Sequence, residues 1–144
     1  MFGNVYENKR VLITGHTGFK GSWLVLWLQI MGAKVTGISL PPEITPNHWI
    51  LLNLDVDSFC IDIRDEDKLR KKIIEINPEI IFHLAAQPLV RRSYKSPLDT
   101  WGTNVMGTAN LLEACRVVDS LSGVIIVTTD KCYENKEQNE GYKE

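Results

Sequence analysis

With 144 residues, 44% of them hydrophobic and 24% charged, the chain is long enough for one domain with a real core, and its balance is that of a soluble globular protein. A formal net charge of −2, without any basic block, argues against nucleic acid as a partner. The longest apolar run, residues 23–28, is far too short to span a bilayer, and residues 1–9 lack the shape of a secretory signal, so no membrane partner is expected.

The three cysteines, Cys60, Cys115 and Cys132, are odd in number and widely spaced. They suggest no disulfide framework, and a reducing cytoplasm is the expected location. His16, His48 and His83 lie on separate segments without metal-ligand spacing, so no metal site is expected.

Strand and helix alternate along the chain. Residues 10–14 (RVLIT) form the first expected strand and residues 18–31 the first helix, which Gly32 ends as a C-terminal cap. Residues 34–39 (KVTGIS) form a short second strand. Pro41, Pro42 and Pro46 then break regular structure, with one or two helical turns expected over residues 48–54. Residues 58–63 (SFCIDI) are the third strand. Residues 65–77 form an amphipathic helix, with Leu69, Ile73, Ile74 and Ile76 on one side. Residues 79–84 (EIIFHL) are apolar enough for a central parallel strand. A loop over residues 85–96 leads to Pro97, which suits the first position of a long helix reaching about residue 118. Residues 123–128 (GVIIVT) are the fifth strand, and the last sixteen residues are polar and turn-like.

Such alternation implies right-handed βαβ units and a parallel sheet. The expected fold is a doubly wound α/β sheet, the Rossmann fold, with strand order 3-2-1-4-5 and all of residues 1–144 in one dinucleotide-binding domain. Its cleft opens at the C-terminal ends of strands one and four. Four stretches fall at successive strand tips and converge there: Gly15 to Gly21, Asp62, Ala85-Ala86-Gln87 and Thr129-Asp130-Lys131.

The first stretch reads Gly15-His16-Thr17-Gly18-Phe19-Lys20-Gly21, between a strand and a helix. Helix N–H groups and the positive end of the helix dipole favour a phosphate there, and glycines let backbone approach it. Gly15, Thr17, Gly18, Phe19, Lys20 and Gly21 are therefore the candidate cofactor-binding residues of this loop. The acid that commonly ends strand two and bonds the adenosine ribose is missing; the chain reads Gly37-Ile38-Ser39-Leu40. Lys20 either approaches a 2′-phosphate or is a solvated first-turn residue, so strand two leaves NAD and NADP both open. Ala85, Ala86 and Gln87 have side chains that let backbone lie against a cofactor, or that simply pack tightly. Asn104, within Thr103-Asn104-Val105-Met106-Gly107-Thr108, bonds a neighbouring loop, a water near the site, or a purely structural partner. Thr128, Thr129, Asp130 and Lys131 put two hydroxyls, a carboxylate and an ammonium directly after an apolar strand, a setting suited to acid–base chemistry.

The G-x-x-G-x-x-G spacing resembles the extended, nucleotide-sugar branch of the short-chain dehydrogenase/reductase superfamily. The phrases TGHTGFKGSWL, SLPP, FHLAAQPLVRRSY, TWGTNVMGTANLLEA and TTDKCYENKE, in this order, look like the CDP-glucose 4,6-dehydratase family and cover most of the chain. The resemblance implies a lyase with a tightly held NAD. It implies CDP-glucose as substrate and a 4-keto-6-deoxy sugar nucleotide as product, a precursor of deoxysugars in lipopolysaccharide and other surface polysaccharides. It also implies that the Asp62 carboxylate and the Ile63 backbone contact adenine; as local structure, Asp62 or Asp65 caps the next helix, and cofactor contact is favoured for Asp62 and capping for Asp65. Thr129 would bond the sugar 4-hydroxyl, and Asp130 would protonate the departing 6-hydroxyl. Lys131 would stand in for the C5 base or tune it, although a lysine must be neutral to act as a base.

The family's Tyr-x-x-x-Lys pair has no match: Tyr6 is followed by Arg10, Tyr94 by Leu98 and Tyr133 by Glu137, and Tyr142 lies two residues from the end. The chain is therefore expected to be the N-terminal part of a longer enzyme, truncated before the substrate lobe and inactive alone. Full-length relatives pair long helices into a homodimer, for which residues 100–118 are one candidate. Another nucleotide-sugar dehydratase, an epimerase and a non-catalytic NAD-binding module are the alternative readings.

Overall fold

A computed structural model of the chain describes residues 2–129, 132–134, 136–137 and 139–142. Its core is a five-stranded sheet, all parallel, in the order β3-β2-β1-β4-β5. The strands are β1 (Arg10–Thr14), β2 (Lys34–Ser39), β3 (Asp57–Cys60), β4 (Ile80–His83) and β5 (Gly123–Ile126). The helices are α1 (Phe19–Ile30), α2 (His48–Leu52), α3 (Glu66–Ile76), α4 (Val90–Lys95), α5 (Pro97–Trp101) and α6 (Gly107–Cys115).

Side-chain alternation along β1 divides the core into two layers. Val11 and Ile13 point to one face, where Val25 and Leu28 of α1 and Val35 of β2 cover them. Leu12 points to the other, where Ile38 and Ile81 meet Leu69 and Ile73 of α3 and Leu111 and Ala114 of α6. The chain crosses from the β3 edge past β2 and β1 to reach β4. This reversal places the switch point between β1 and β4.

Two details depart from the sequence-based expectation. β3 ends at Cys60, so Asp62 and Ile63 belong to the turn into α3 rather than to the strand. Asp65 does cap α3, accepting from the Lys68 N–H. The single long helix expected from Pro97 is divided: a π turn (Gly102–Met106) separates α5 from α6, and regular helix stops at Cys115. α1 lies with its Gly21, Ser22, Val25 and Leu28 side against the sheet, while Phe19, Trp23, Trp27 and Ile30 are exposed.

A buried polar chain ties the sheet to α6. His83, at the end of β4, is only 2% exposed. Its Nδ1 lies 2.6 Å from Thr14 Oγ1 on β1, and its Nε2 lies 3.0 Å from Thr108 Oγ1 on α6. Thr108 donates in turn to the Asn104 carbonyl at 2.7 Å. Burial pushes the His83 imidazole below its ordinary pKa, so the folded protein favours the neutral ring. The unfolded chain takes up a proton below about pH 6.5 while the folded chain resists it, so folding stability falls as pH falls through that range. His16, also buried and also lowered, acts in the same direction. Thermal melts between pH 7.5 and pH 5 should show a declining Tm, and H83Q should flatten that decline. An unchanged slope in H83Q would show that His83 titrates alike in both states.

Candidate nucleotide-binding cleft

The turn after β1 is fixed by backbone hydrogen bonds on both sides. Gly15 N–H donates to the Ile38 carbonyl at 2.8 Å, and Leu84 N–H donates to the Thr14 carbonyl at 3.0 Å. Gly15 has φ +74°, and a Cβ there would lie 2.7 Å from the Ala85 nitrogen. A Cβ on Gly21 would strike the Gly15 carbonyl oxygen and lie 2.8 Å from His16 Cα. The outer two glycines thus bring loop, β4 and α1 into backbone contact. Gly18 is different: it is exposed and forms the N-cap of α1 without any side-chain cap. The first-turn N–H groups of Phe19, Lys20 and Gly21 have no carbonyl four residues earlier within the helix to take them. With the positive end of the helix dipole behind them, they fit an anion such as a pyrophosphate.

His16 is fully buried behind this loop. Its ring covers Gly37 of β2, where a Cβ would lie 2.5 Å from Nδ1. Nε2 is 2.7 Å from Ser58 Oγ, the Trp49 ring meets the imidazole edge-on at 4.7 Å, and Nδ1 has no hydrogen-bond partner of good geometry. Burial lowers its pKa, partly offset by the Ile38 backbone. The paired signal in the sequence, a bulky residue inside a glycine loop and a glycine within β2, was not connected by periodicity.

At the β2 tip, Thr17 Oγ1 and Ser39 Oγ are 2.6 Å apart. The Leu40 carbonyl lies 3.0 Å from Thr17 Oγ1 and 2.9 Å from Ser39 Oγ, so the two hydroxyl protons are shared among three oxygens. Thr17 therefore joins the glycine loop to the end of β2, a contact that sequence reading did not foresee.

Asp62 follows β3 and is gripped by Arg64, which reaches both carboxylate oxygens. This hydrogen bonding holds the Asp62 carboxyl below the usual range. Arg64 also pairs with Asp99. Asp99 pairs with Arg92, and Arg92 with Glu43 at 2.8 Å. The carboxylate expected to face adenine is thus engaged by a guanidinium, because Arg64 lies two residues away in a tight turn. The Ile63 side chain is buried against Gly107, and its carbonyl accepts from Asn110 at 3.0 Å.

Beyond β4, Ala85 N–H lies 3.3 Å from Thr14 Oγ1, and Ala86 is exposed. Asn104 holds the Gln87 backbone at both ends: Oδ1 accepts its N–H at 2.7 Å and Nδ2 donates to its carbonyl at 3.1 Å. The buried Gln87 side chain bonds Leu89 and Thr100. Among the expectations for Asn104, the bond to a neighbouring loop is the one formed. Thr128 and Thr129 are exposed just after β5, and the Thr129 carbonyl lies 3.5 Å from Cys132 Sγ. Asp130 and Lys131 lie outside the described residues. The described residues contain no group of His, Cys, Asp and Glu able to hold a metal ion, and no helix long and apolar enough to cross a membrane.

Comparison with known proteins agrees with this geometry. CDP-glucose 4,6-dehydratase of Salmonella typhimurium is 51% identical over 98% of this chain, which spans 40% of that enzyme. An epimerase from Methanothermobacter thermautotrophicus shares the fold, with a TM-score of 0.82 at 22% identity over 97% of this chain and 41% of its own. The UDP-glucose 4-epimerase of Thermus thermophilus, solved in complex with NAD, has a TM-score of 0.65 at 33% identity over 74% of this chain and 33% of its own. The chain thus spans about 40% of the length of the curated relatives it matches. The family model described as GDP-mannose 4,6 dehydratase matches residues 12–144. With its parallel 3-2-1-4-5 sheet and glycine cradle, the chain belongs to the GDP-mannose 4,6-dehydratase family of nucleotide-sugar enzymes.

Proposed function

We propose that this chain is the NAD-binding part of a cytoplasmic CDP-glucose 4,6-dehydratase that supplies deoxysugars for surface polysaccharide. The observation that carries the reading is the 51% identity over 98% of the chain to the Salmonella enzyme. The uncapped α1 terminus supports it, because free N–H groups beside Gly18 suit the pyrophosphate of a dinucleotide.

In this reading Gly15, Thr17, Gly18, Phe19, Lys20 and Gly21 hold the pyrophosphate and the adjoining ribose. Asp62 and Ile63 border adenine, and Ala85, Ala86, Gln87 and Thr128 line the nicotinamide side. Asn104 shapes that side through the Gln87 backbone. Bound NAD supplies a hydride acceptor for C4 of the sugar and later a hydride donor for C6. Thr129 binds and orients the 4-hydroxyl. Asp130 gives a proton to the departing 6-hydroxyl as water is lost across C5–C6. Lys131 serves the C5 proton, as the base or as its electrostatic partner. Two such chains, each completed as in the full-length relatives, pair as a homodimer through the helices around residues 100–118.

Fusing this chain to the remainder of the Salmonella enzyme tests the chemistry. The chimera should form the 4-keto-6-deoxy product from CDP-glucose, and D130N should slow it by about 10²- to 10⁴-fold. Epimerisation, or dehydration indifferent to D130N, would overturn the assignment. The 144-residue chain contains no Tyr-x-x-x-Lys pair. It should therefore bind NAD in a calorimetric titration yet leave CDP-glucose unchanged. G21A should abolish that binding, since its methyl meets the Gly15 carbonyl where the loop must close on α1; undiminished binding by G21A would remove the loop from the site.

A further inference from the structure

We propose that His16 is a positioning residue for the cofactor loop: its neutral ring, packed beneath the loop against Gly37, Ser58 and Trp49, seats the loop on β2, and its protonation unseats the loop and releases the dinucleotide. The inference rests on the dinucleotide reading above and adds the regulation of that same site, a proton linked to cofactor binding.

His16 stands between Gly15 and Thr17, yet its side chain turns away from solvent and is fully buried. Gly37 and Ser58 are register partners on β2 and β3. The ring lies over the first and bonds the second, with Nε2 2.7 Å from Ser58 Oγ. From the loop after β1 it therefore reaches across β2 to β3, and the Trp49 ring of α2 meets it edge-on. It occupies the space that any side chain at position 37 would need, since a Cβ there would lie 2.5 Å from Nδ1. Beside this contact the loop backbone is bound to β2. Gly15 N–H donates to the Ile38 carbonyl at 2.8 Å, and Thr17 Oγ1 lies 2.6 Å from Ser39 Oγ. The Gly15 carbonyl in turn accepts the Gly18 N–H at 3.1 Å, at the N-cap of α1. Moving the ring displaces the residues on either side of it, and with them the cap.

A neutral imidazole has one N–H and one lone pair, whereas an imidazolium has two N–H donors and a charge. The site supplies one side-chain partner, Ser58, and Nδ1 is buried without any. The Ile38 carbonyl, which offsets the burial of the ring only in part, already accepts the Gly15 N–H. A second ring proton would be a buried, cationic donor left unpaired. Among the described residues, the titratable groups of the surrounding elements are engaged elsewhere. Lys20 of α1, Lys34 of β2 and Asp57 and Cys60 of β3 are exposed, and His48 of α2 lies with Nδ1 2.6 Å from Ser22 Oγ. The charged ring is relieved by moving out to water, and it carries the loop with it. The open loop holds an ordinary histidine, which takes up a proton below about pH 6.5, while the closed loop resists it. Cofactor binding needs the closed loop, so it weakens as pH falls through that range. Protonation of His48 acts with the opposite sign. Its ring centroid lies 5.4 Å from that of Phe19 in the first turn of α1, where a cation strengthens the hold on a phosphate.

Calorimetric titration of the 144-residue chain with NAD at pH 8, 7, 6 and 5.5, each in two buffers of different ionisation enthalpy, tests this, because NAD itself does not titrate in that range. Affinity should hold from pH 8 to pH 7 and fall by roughly five- to tenfold between pH 7 and pH 5.5. Binding should release protons at pH 6 and none at pH 8. H83Q and H48Q should keep the proton release, and H16Q should lose it together with the fall in affinity. Circular dichroism of each variant at each pH confirms that the fold is retained. Should H16Q bind no NAD at any pH, the His16 ring protons followed by NMR in the unsubstituted chain decide: saturating NAD should lower the ring's pKa, and an unmoved pKa would overturn the inference. An affinity that stays level or rises on acidification, or proton release that persists in H16Q, would also overturn it while leaving the dinucleotide site intact. Failure of the unsubstituted chain to bind NAD at any pH would overturn the dinucleotide reading itself, and the inference with it.

Discussion

The constraint on which the structure depends is backbone touching backbone at the switch point. Gly15 lies against the Ala85 nitrogen, and Gly21 lies against the Gly15 carbonyl. Neither approach tolerates a methyl group. Because they close, β1, the loop after β4 and the first turn of α1 meet within one peptide's width, and the α1 amides are left uncapped at the mouth of the cleft. The glycines are thus a consequence of where the chain reverses direction, and the anion cradle is a consequence of the glycines.

Around that contact the interior is polar where it must be specific. His83 spans Thr14 and Thr108, linking two strands to α6 through a neutral ring. His16 fills the space left by Gly37 and packs against Trp49. Apolar layers on either side supply the burial. The two imidazoles fix how the loop sits on the sheet. A charged cleft entrance follows from the same topology: Glu43, Asp62, Arg64, Arg92 and Asp99 come from segments far apart in sequence and meet because the stretches after β2, β3 and β4 all leave the same, C-terminal edge of the parallel sheet.

Much of this was legible in the sequence. β1 and β2 were delimited to the residue, and the strand order followed from the alternation of apolar runs with amphipathic helices. Local hydrogen-bonding groups marked the Asp65 cap. What the sequence concealed depends on side chains that meet across segments. Asp62 looked like a free carboxylate because nothing in a linear reading says that Arg64 will fold back on it. Ser39 looked like an absence of acid; its meaning comes from Thr17, twenty-two residues earlier. The π turn at Gly102–Met106 is flanked by residues with helical φ/ψ, so nothing in a linear reading from Pro97 marks the break.

That π turn carries Asn104, whose carboxamide faces the Gln87 peptide donor to acceptor and acceptor to donor. A primary amide in that pose has the hydrogen-bonding outline of a peptide group. For the span of one residue, the side chain impersonates an adjacent strand. Gln87, four positions past the end of β4, is bonded as a strand residue would be, although among the described residues no strand pairs with it. Irregular chain there acquires the dimensional exactness of sheet, while retaining the open face that a ligand requires.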